Sequence, residues 1–188
     1  MWKNLPNCLS FVRLLCAVLL LLIININPAN KVLLFVLFAT GAITDWLDGY
    51  IAKNFAMTSK LGEIIDPIAD KSLVICALLV LIHFDNDILL LSASAIIILR
   101  EFIISAIRQI LSSMPTNPLK VNYIARVKAS IQMLGIGTCM FSLAFNNIDW
   151  YSAMFYKAGI SLIILSAIIT IVSFVLYFNK IKPHLFQG

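Results

Sequence analysis

The chain has 188 residues, of which 61% are hydrophobic and only 12% charged, and its net charge is +5. Soluble domains are about half apolar and about a quarter charged, so this composition excludes an ordinary soluble domain and predicts an integral membrane protein. The four cysteines and two histidines lie far apart without paired spacing, which argues against a disulfide framework and a zinc site. We expect no nucleic-acid partner.

Six apolar segments follow one another along the chain, each close to the roughly 20 residues that a membrane-spanning helix needs. They cover residues 9–26, 32–51, 64–84, 88–111, 124–145 and 154–178. The connections between them are short and rich in turn-forming residues. We therefore predict an all-α fold, in which residues 1–188 form a single domain and a bundle of six transmembrane helices. Residues 1–8 are a candidate for a short segment along the membrane interface.

Lysine and arginine are distributed unequally between the two sides of this predicted bundle. The basic residues toward one side are Lys3, Lys53, Lys60, Lys120, Arg126, Lys128, Lys180 and Lys182. The other side has Lys31 and Lys157, together with Asp85, Asp87 and Asp149. Because cytoplasmic connections have the excess of Lys and Arg, both termini and the connection between the second and third spans should face the cytoplasm.

Four aspartates lie at or inside the ends of the second and third apolar segments: Asp45, Asp48, Asp66 and Asp70. A carboxylate inside a bilayer costs about 2.5–3.5 kcal/mol on the insertion scale, so four of them require a compensating partner. The first two are three residues apart and the last two are four apart, so each pair shares a helix face. Two facing pairs of oxygen ligands predict one or two divalent cations, with Mg²⁺, Mn²⁺ or Ca²⁺ favoured over zinc.

Charged residues of four separate spans lie at one common depth. At about 1.5 Å per helical residue, they are all roughly 18–21 Å from the outer ends of their spans. They are Arg13, Asp45, Asp70 and Arg100. This agreement predicts a cavity open to the cytoplasm. The alternative is that the acids form buried salt bridges with Arg13, Arg100 or Lys71, although charges inside a membrane are functional by default.

Two glycines and a proline lie beside the aspartates. Gly49 and Gly62 remove side chains where a bulky ligand would have to approach the backbone. Pro67 is compatible with the first turn of a helix or with a kink.

The spacing of these residues resembles the motif of the CDP-alcohol phosphotransferase family. That motif reads Asp-x2-Asp-Gly-x2-Ala-Arg-x8-Gly-x3-Asp-x3-Asp, and the chain matches its spacing throughout. The one departure is Lys53, which stands where the family has Arg. The matching residues are Asp45, Asp48, Gly49, Ala52, Gly62, Asp66 and Asp70.

Three further stretches are similar to members of this family. The family's first span starts with Pro-Asn-x-Leu-Thr-x-x-Arg, which resembles LPNCLSFVR at residues 5–13, with Ser10 in place of Thr. The fourth and fifth spans of the phosphatidylglycerophosphate synthase branch resemble LREFIISAIRQ at 99–109 and ARVKASIQM at 125–133. In that branch the fifth span usually has Gly-Lys-x-Lys-Thr, so Ala125, Arg126 and Ala129 are departures.

The resemblance implies transfer of a phosphatidyl group from CDP-diacylglycerol to an alcohol, with release of CMP, in the inner membrane of a bacterium. It implies that Asp45, Asp48 and Asp66 are metal ligands, and we expect two ions of Mg²⁺ or Mn²⁺. Asp70 would share a metal and act as the general base that takes the proton of the acceptor hydroxyl. The CDP-diacylglycerol site would contain Asn7, Arg13, Gly49, Ala52, Lys53 and Gly62. Members of the family are often dimers, so we expect a homodimer.

The acceptor is predicted from the cations of the fourth and fifth spans. Glycerol 3-phosphate is a dianion that requires cations near the metals, and these spans provide Arg100, Arg108, Arg126 and Lys128. For Arg126 and Lys128 the alternative is anchoring at the cytoplasmic interface. Glycerol 3-phosphate is therefore the predicted acceptor. The alternatives are a cardiolipin synthase of the same family, which takes phosphatidylglycerol, and a cation-coupled membrane transporter.

Overall fold

The computed structural model describes the backbone of residues 5–55, 60–112, 123–145 and 149–185, and the side chains of residues 8–48, 65–107, 127–145, 151–175 and 178. The described residues form six α-helices: α1 Leu5–Ile26, α2 Lys31–Phe55, α3 Lys60–Phe84, α4 Ile88–Ser112, α5 Tyr123–Ala144 and α6 Asp149–Leu185. The predicted all-helical fold is confirmed. Each predicted apolar segment lies within one helix, apart from residue 145 at the end of the fifth.

Side chains close two of the turns between helices. At the start of α2, Oδ1 of Asn30 accepts a hydrogen bond from the backbone N–H of Leu33, with 3.2 Å between the two atoms. At the start of α4, Oδ1 of Asp87 accepts one from the backbone N–H of Leu89 at 2.8 Å. These helix caps satisfy donors that have no partner within the helix. They fix the points at which α2 and α4 begin.

Four of the helices are long and apolar enough to cross a membrane, in the parts Cys8–Ile26, Ile88–Ile107, Val127–Ala144 and Tyr151–Val175. Large apolar side chains such as Phe11, Phe102 and Leu134 are more than half exposed on them. Hydrocarbon around the bundle accounts for such exposure, because lipid and these side chains are equally apolar. The fold is therefore that of a multi-pass membrane protein. The helices that contain the aspartates, α2 and α3, are spans by prediction only.

The helices pack in two groups joined through the middle of the bundle. Helix α1 packs against α2 and α3, while α6 packs against α5 and α4, and α2 contacts α5. Fully buried apolar side chains fill the space between them, among them Leu20 of α1, Leu73 and Leu81 of α3, Ile136 of α5 and Ile163 of α6. Helix α1 is thus placed beside both helices that contain the aspartates.

Small residues let α5 and α6 approach closely. A Cβ atom added to Gly159 of α6 would lie 2.4 Å from Sγ of Cys139 and 2.9 Å from its backbone nitrogen on α5. A Cβ atom added to Gly135 of α5 would lie 3.1 Å from the carbonyl oxygen of Gly159. Close approach of this kind at small residues is typical of helix pairs in membranes.

Two predictions about helix beginnings change with the structure. Helix α3 begins at Lys60, so Pro67 lies inside it, which excludes the first turn and leaves the kink of the two alternatives given above. Since proline has no N–H, the carbonyl of residue 63 loses its usual helical donor there. The interfacial segment predicted for residues 1–8 lies partly outside the described residues, and from Leu5 onward the chain is already part of α1.

Candidate active site

Arg13 lies on α1 at the centre of the predicted site, and its side chain is fully buried. Its Nη1 atom donates a hydrogen bond to the carboxylate of Asp70 on α3. The same nitrogen is 3.4 Å from Oδ1 of Asp45, and Nη2 is 3.9 Å from Oδ2 of Asp48, both on α2. One cation of α1 therefore contacts carboxylates of two neighbouring helices. Of the four residues predicted to lie at one depth, Arg13, Asp45 and Asp70 are in contact in the structure.

Ser10 brings the fourth aspartate into the same group. It is buried on α1, three residues before Arg13, and its hydroxyl donates a hydrogen bond to Oδ1 of Asp66 on α3. Residues three apart share a helix face, so one face of α1 contacts all four aspartates. We call these six residues the aspartate group. Ser10 was not among the predicted site residues, although its spacing to Arg13 was an available signal.

The carboxylates of the aspartate group differ in their exposure. The side chains of Asp45 and Asp70 are 42% and 48% exposed, whereas that of Asp48 is 13% exposed. Nε and Nη2 of Arg13 are buried and have no hydrogen-bond acceptor among the described residues. A buried donor without an acceptor costs about 1–3 kcal/mol, so charge attraction has to hold the guanidinium in place. The exposed carboxylates remain open to a ligand.

The four aspartates match a hard divalent cation in their chemistry, because all of their ligand atoms are carboxylate oxygens. Within the part of the chain that is described, no group of three or more His, Cys, Asp or Glu side chains is close enough to hold a metal ion. Three of the carboxylates lie around the guanidinium of Arg13 instead. Arg13 therefore offsets part of their charge, as in the salt-bridge alternative considered from the sequence.

A second charged group lies between α4, α5 and α6. Oε1 of Glu101 on α4 accepts hydrogen bonds from Nζ of Lys128 on α5 at 2.6 Å and from Nη1 of Arg100 at 3.1 Å. Nη2 of Arg100 also donates to Oγ of Ser173 on α6 at 3.2 Å. We call these four residues the Glu101 group. Because the side chain of Lys128 is buried, it does not lie at a surface where it would anchor the protein to the interface.

Lys71 connects the two groups. It directly follows Asp70 on α3, and its ammonium donates a hydrogen bond to the hydroxyl of Ser105 on α4. Oγ of Ser105 in turn donates to the backbone carbonyl of Glu101, with 2.6 Å between the oxygens. The aspartate group and the Glu101 group therefore adjoin at residues 70 and 71. A ligand bound to one group would lie next to the other.

The Glu101 group differs from the prediction in two ways, in the partners of Arg100 and in the presence of Glu101. Arg100 was predicted to lie at the depth of Asp45 and Asp70, yet within the described residues it is paired with Glu101 and Ser173. Glu101 itself was not among the predicted site residues. Its signal in the sequence was an acid placed directly after an arginine in an apolar segment.

The other predicted site residues have side chains outside the described ranges, so their roles remain predictions. They are Asn7 in α1, Gly49, Ala52 and Lys53 in α2, Gly62 in α3, Arg108 in α4 and Arg126 in α5. The helices place Gly49, Ala52 and Lys53 after the second aspartate of α2, and Gly62 before the first aspartate of α3.

Comparison with protein families and curated proteins agrees with the resemblance found in the sequence. The family model described as CDP-alcohol phosphatidyltransferase matches residues 3–176. This range includes every residue of the aspartate group and of the Glu101 group.

Relatives match over almost their whole length. The chain is 31% identical over 187 residues to the CDP-diacylglycerol–glycerol-3-phosphate 3-phosphatidyltransferase of Wigglesworthia glossinidia brevipalpis, with 98% of each chain covered. It is 32% identical over 186 residues to the protein of the same name from Rickettsia typhi, covering 97% of this chain and 99% of that one. It is 27% identical over 185 residues to that of Salmonella choleraesuis, with 97% of each chain covered.

Proposed function

The chain belongs to the CDP-alcohol phosphatidyltransferase family, and on that premise we propose that it transfers the phosphatidyl group of CDP-diacylglycerol to sn-glycerol 3-phosphate. The products are phosphatidylglycerophosphate and CMP, so the reaction belongs to phospholipid biosynthesis. The relatives described above are named for this transfer, and each alignment covers 97–98% of this chain. Membership of this family favours an enzyme over a cation-coupled transporter.

The single observation that carries this proposal is the convergence of four aspartates on one face of α1. Asp45, Asp48 and Asp70 contact Arg13, and Asp66 contacts Ser10. Transfer of a phosphatidyl group needs cations that offset the charge of a diphosphate, and a base for the acceptor hydroxyl. Four carboxylates with partial access to ligands supply the base and the ligands for such cations.

Divalent cations complete this site in our proposal. Asp45, Asp48, Asp66 and Asp70 would hold two ions of Mg²⁺ or Mn²⁺, both of which prefer carboxylate oxygens. When bound, the ions would offset the negative charge that develops on the departing CMP. The guanidinium of Arg13 lies among the same carboxylates and contributes positive charge to the diphosphate site.

Asp70 acts as the general base. The acceptor hydroxyl oxygen attacks the phosphorus atom that is linked to diacylglycerol, and a new P–O bond forms there. The bond from this phosphorus to the CMP oxygen breaks, so that CMP leaves with the bonding electrons. The hydroxyl proton passes to the carboxylate of Asp70, which at 48% exposure is open to the acceptor.

The two substrates occupy different parts of the site. Arg100 and Lys128 bind the phosphate of glycerol 3-phosphate, with Arg108 and Arg126 as further cations on the same helices. The nucleotide of CDP-diacylglycerol lies against Asn7, Arg13, Gly49, Ala52, Lys53 and Gly62. Lys53 is a point charge where arginine would provide two parallel hydrogen bonds, so it holds phosphate with less directional preference.

The membrane setting of this proposal follows from charge and hydropathy. All six helices cross the inner membrane of a bacterium, and the chain forms one domain. The excess of lysine and arginine on one side supports a cytoplasmic position for both termini and for the active site. The diacyl tails of the substrate then remain in the lipid while its nucleotide meets the aspartates. A homodimer is the expected assembly.

The test is release of CMP by the purified protein in detergent with CDP-diacylglycerol and Mg²⁺, with one acceptor at a time. The acceptors are glycerol 3-phosphate, phosphatidylglycerol, inositol phosphate and serine. We expect release with glycerol 3-phosphate, and loss of release with EDTA or in the Asp45→Asn variant. Release with phosphatidylglycerol alone would instead identify a cardiolipin synthase. No acceptor-dependent release from folded protein would refute the transferase.

A further inference from the structure

Glu101 is an acid within an apolar helix, and the proposed reaction gives this residue no role. It lies in Ile88–Ile107, a part of α4 that is apolar enough to cross a membrane, and its side chain is 24% exposed. A carboxylate in such a place is costly unless it is paired, and acids inside membrane spans generally have a function. The partners of Glu101 therefore indicate what it does.

Both charged partners of Glu101 are cations of the proposed acceptor site. Its Oε1 atom is 2.6 Å from Nζ of Lys128 and 3.1 Å from Nη1 of Arg100. One oxygen thus keeps two positive groups side by side, although like charges repel each other at such a separation. The side chains of Lys128 and Arg100 are only 3% and 12% exposed, so little water is present to weaken that repulsion.

The two cations that Glu101 contacts suit an anionic ligand. Arg100 and Lys128 contribute two positive charges and Glu101 contributes one negative charge, which leaves these three side chains with a net charge of +1. A phosphate monoester has a charge of about −1.5 to −2 at pH 7. Arg100 and Lys128 would therefore offset part of the charge of such a ligand.

We propose that Glu101 is a positioning residue, which holds the ammonium of Lys128 and the guanidinium of Arg100 together in the arrangement that binds the acceptor phosphate. This role rests on the proposed function, because it takes glycerol 3-phosphate as the acceptor. Glu101 does not touch the reacting atoms. Without its charge the two cations move apart, and acceptor binding weakens while CDP-diacylglycerol binding and proton transfer to Asp70 are unaffected.

The first test is the Glu101→Gln variant, which removes the charge at nearly constant size. We expect the KM for glycerol 3-phosphate to rise about tenfold or more, since the hydrogen bonds from Lys128 and Arg100 would go to a neutral amide oxygen and no longer to a charged carboxylate. The kcat and the KM for CDP-diacylglycerol should stay near their wild-type values. The matched control is Asp85→Asn, a carboxylate-to-amide change in the turn between α3 and α4, which should change none of these constants. An unchanged KM for glycerol 3-phosphate in Glu101→Gln would overturn the proposal.

A double-mutant cycle with Lys128→Met tests whether Glu101 acts through its partner. The dissociation constant of glycerol 3-phosphate is measured by calorimetry in the wild type, both single variants and the double variant. If Glu101 acts by holding Lys128, Glu101→Gln weakens binding much less in the Lys128→Met background than in the wild type. Fully additive losses would contradict this role.

Two further measurements distinguish a failure of the positioning role from misfolding of the variant and from a failure of the proposed function. If Glu101→Gln does not fold, Glu101→Asp decides, because it keeps the charge but shortens the side chain by one methylene. It should raise the KM for glycerol 3-phosphate by a smaller factor, and a wild-type KM in this variant would overturn the positioning role. If the wild type itself releases no CMP with glycerol 3-phosphate, both the function and the role fail. If the wild type releases CMP with glycerol 3-phosphate and the Glu101 variants keep the wild-type KM, only the positioning role fails.

Discussion

Replacing Arg13 by methionine removes the one described cation that contacts carboxylates of both α2 and α3. Methionine keeps most of the apolar length of the side chain, so the change isolates the guanidinium. Three aspartates then share a small volume without their positive partner. In the absence of a divalent cation, we expect the protein to lose stability because these like charges repel each other.

The magnitude follows from the burial of the partners. Breaking a buried ion pair costs about 3–5 kcal/mol, whereas an exposed pair contributes about 1 kcal/mol or less. The side chain of Arg13 is 1% exposed and that of Asp48 is 13% exposed, but those of Asp45 and Asp70 are nearly half exposed. We therefore expect the lower end of the buried range, about 3 kcal/mol. For a chain of this length that corresponds to a fall in Tm of about 6–12 °C.

The assay is thermal unfolding of the purified protein in detergent, followed with EDTA and with added Mg²⁺. Arg13→Met should have a Tm well below that of the wild type in EDTA. Added Mg²⁺ should raise the Tm of Arg13→Met more than that of the wild type, since a bound cation replaces the lost charge. The control is Arg13→Lys, which keeps the charge without the planar guanidinium. Its Tm in EDTA should lie between those of the wild type and Arg13→Met. If Arg13→Met melts at the wild-type temperature in EDTA, Arg13 does not offset the charge of the aspartates.

Three further changes test the base, the acceptor site and the packing. Asp70→Asn should lower kcat by about 10²–10⁴, the usual contribution of a general base, in steady-state assays of CMP release. A wild-type kcat would exclude this role. Arg100→Ala should raise the KM for glycerol 3-phosphate far more than that for CDP-diacylglycerol, and equal increases would contradict its assignment. Gly159→Leu should cost about 1–3 kcal/mol of stability in thermal unfolding, because its Cβ would lie 2.4 Å from Sγ of Cys139. Ala158→Leu, at an exposed position of α6, is the matched control and should be nearly neutral.

Much of the fold could be predicted from the sequence because it depends on local properties. The length of each apolar segment sets the number and approximate bounds of the helices. Helix ends were less predictable, since polar residues such as Lys60 and Tyr123 extend the helices beyond the apolar segments. A first turn stayed open for Pro67 for that reason, because the apolar pattern begins at residue 64 and gave no sign that α3 begins at Lys60.

The candidate site was predictable where it is encoded by spacing along one helix. Asp45 and Asp48, like Asp66 and Asp70, share a helix face whatever the rest of the protein does. The helical rise also predicts that Arg13 lies at the depth of Asp45 and Asp70. These predictions need only the regular geometry of the α-helix.

Only the tertiary structure decided which charges are paired. Arg13 meets aspartates more than 30 residues away because α1 packs between α2 and α3, and Ser10 joins them on the same face. Lys128 meets Glu101 because α5 and α4 both pack on α6. The sequence alone determined that four acids form two pairs, each on one helix face, and it predicted one depth for Arg13, Asp45 and Asp70. Their partners depend on which helices are neighbours, and packing between residues far apart in the chain sets that.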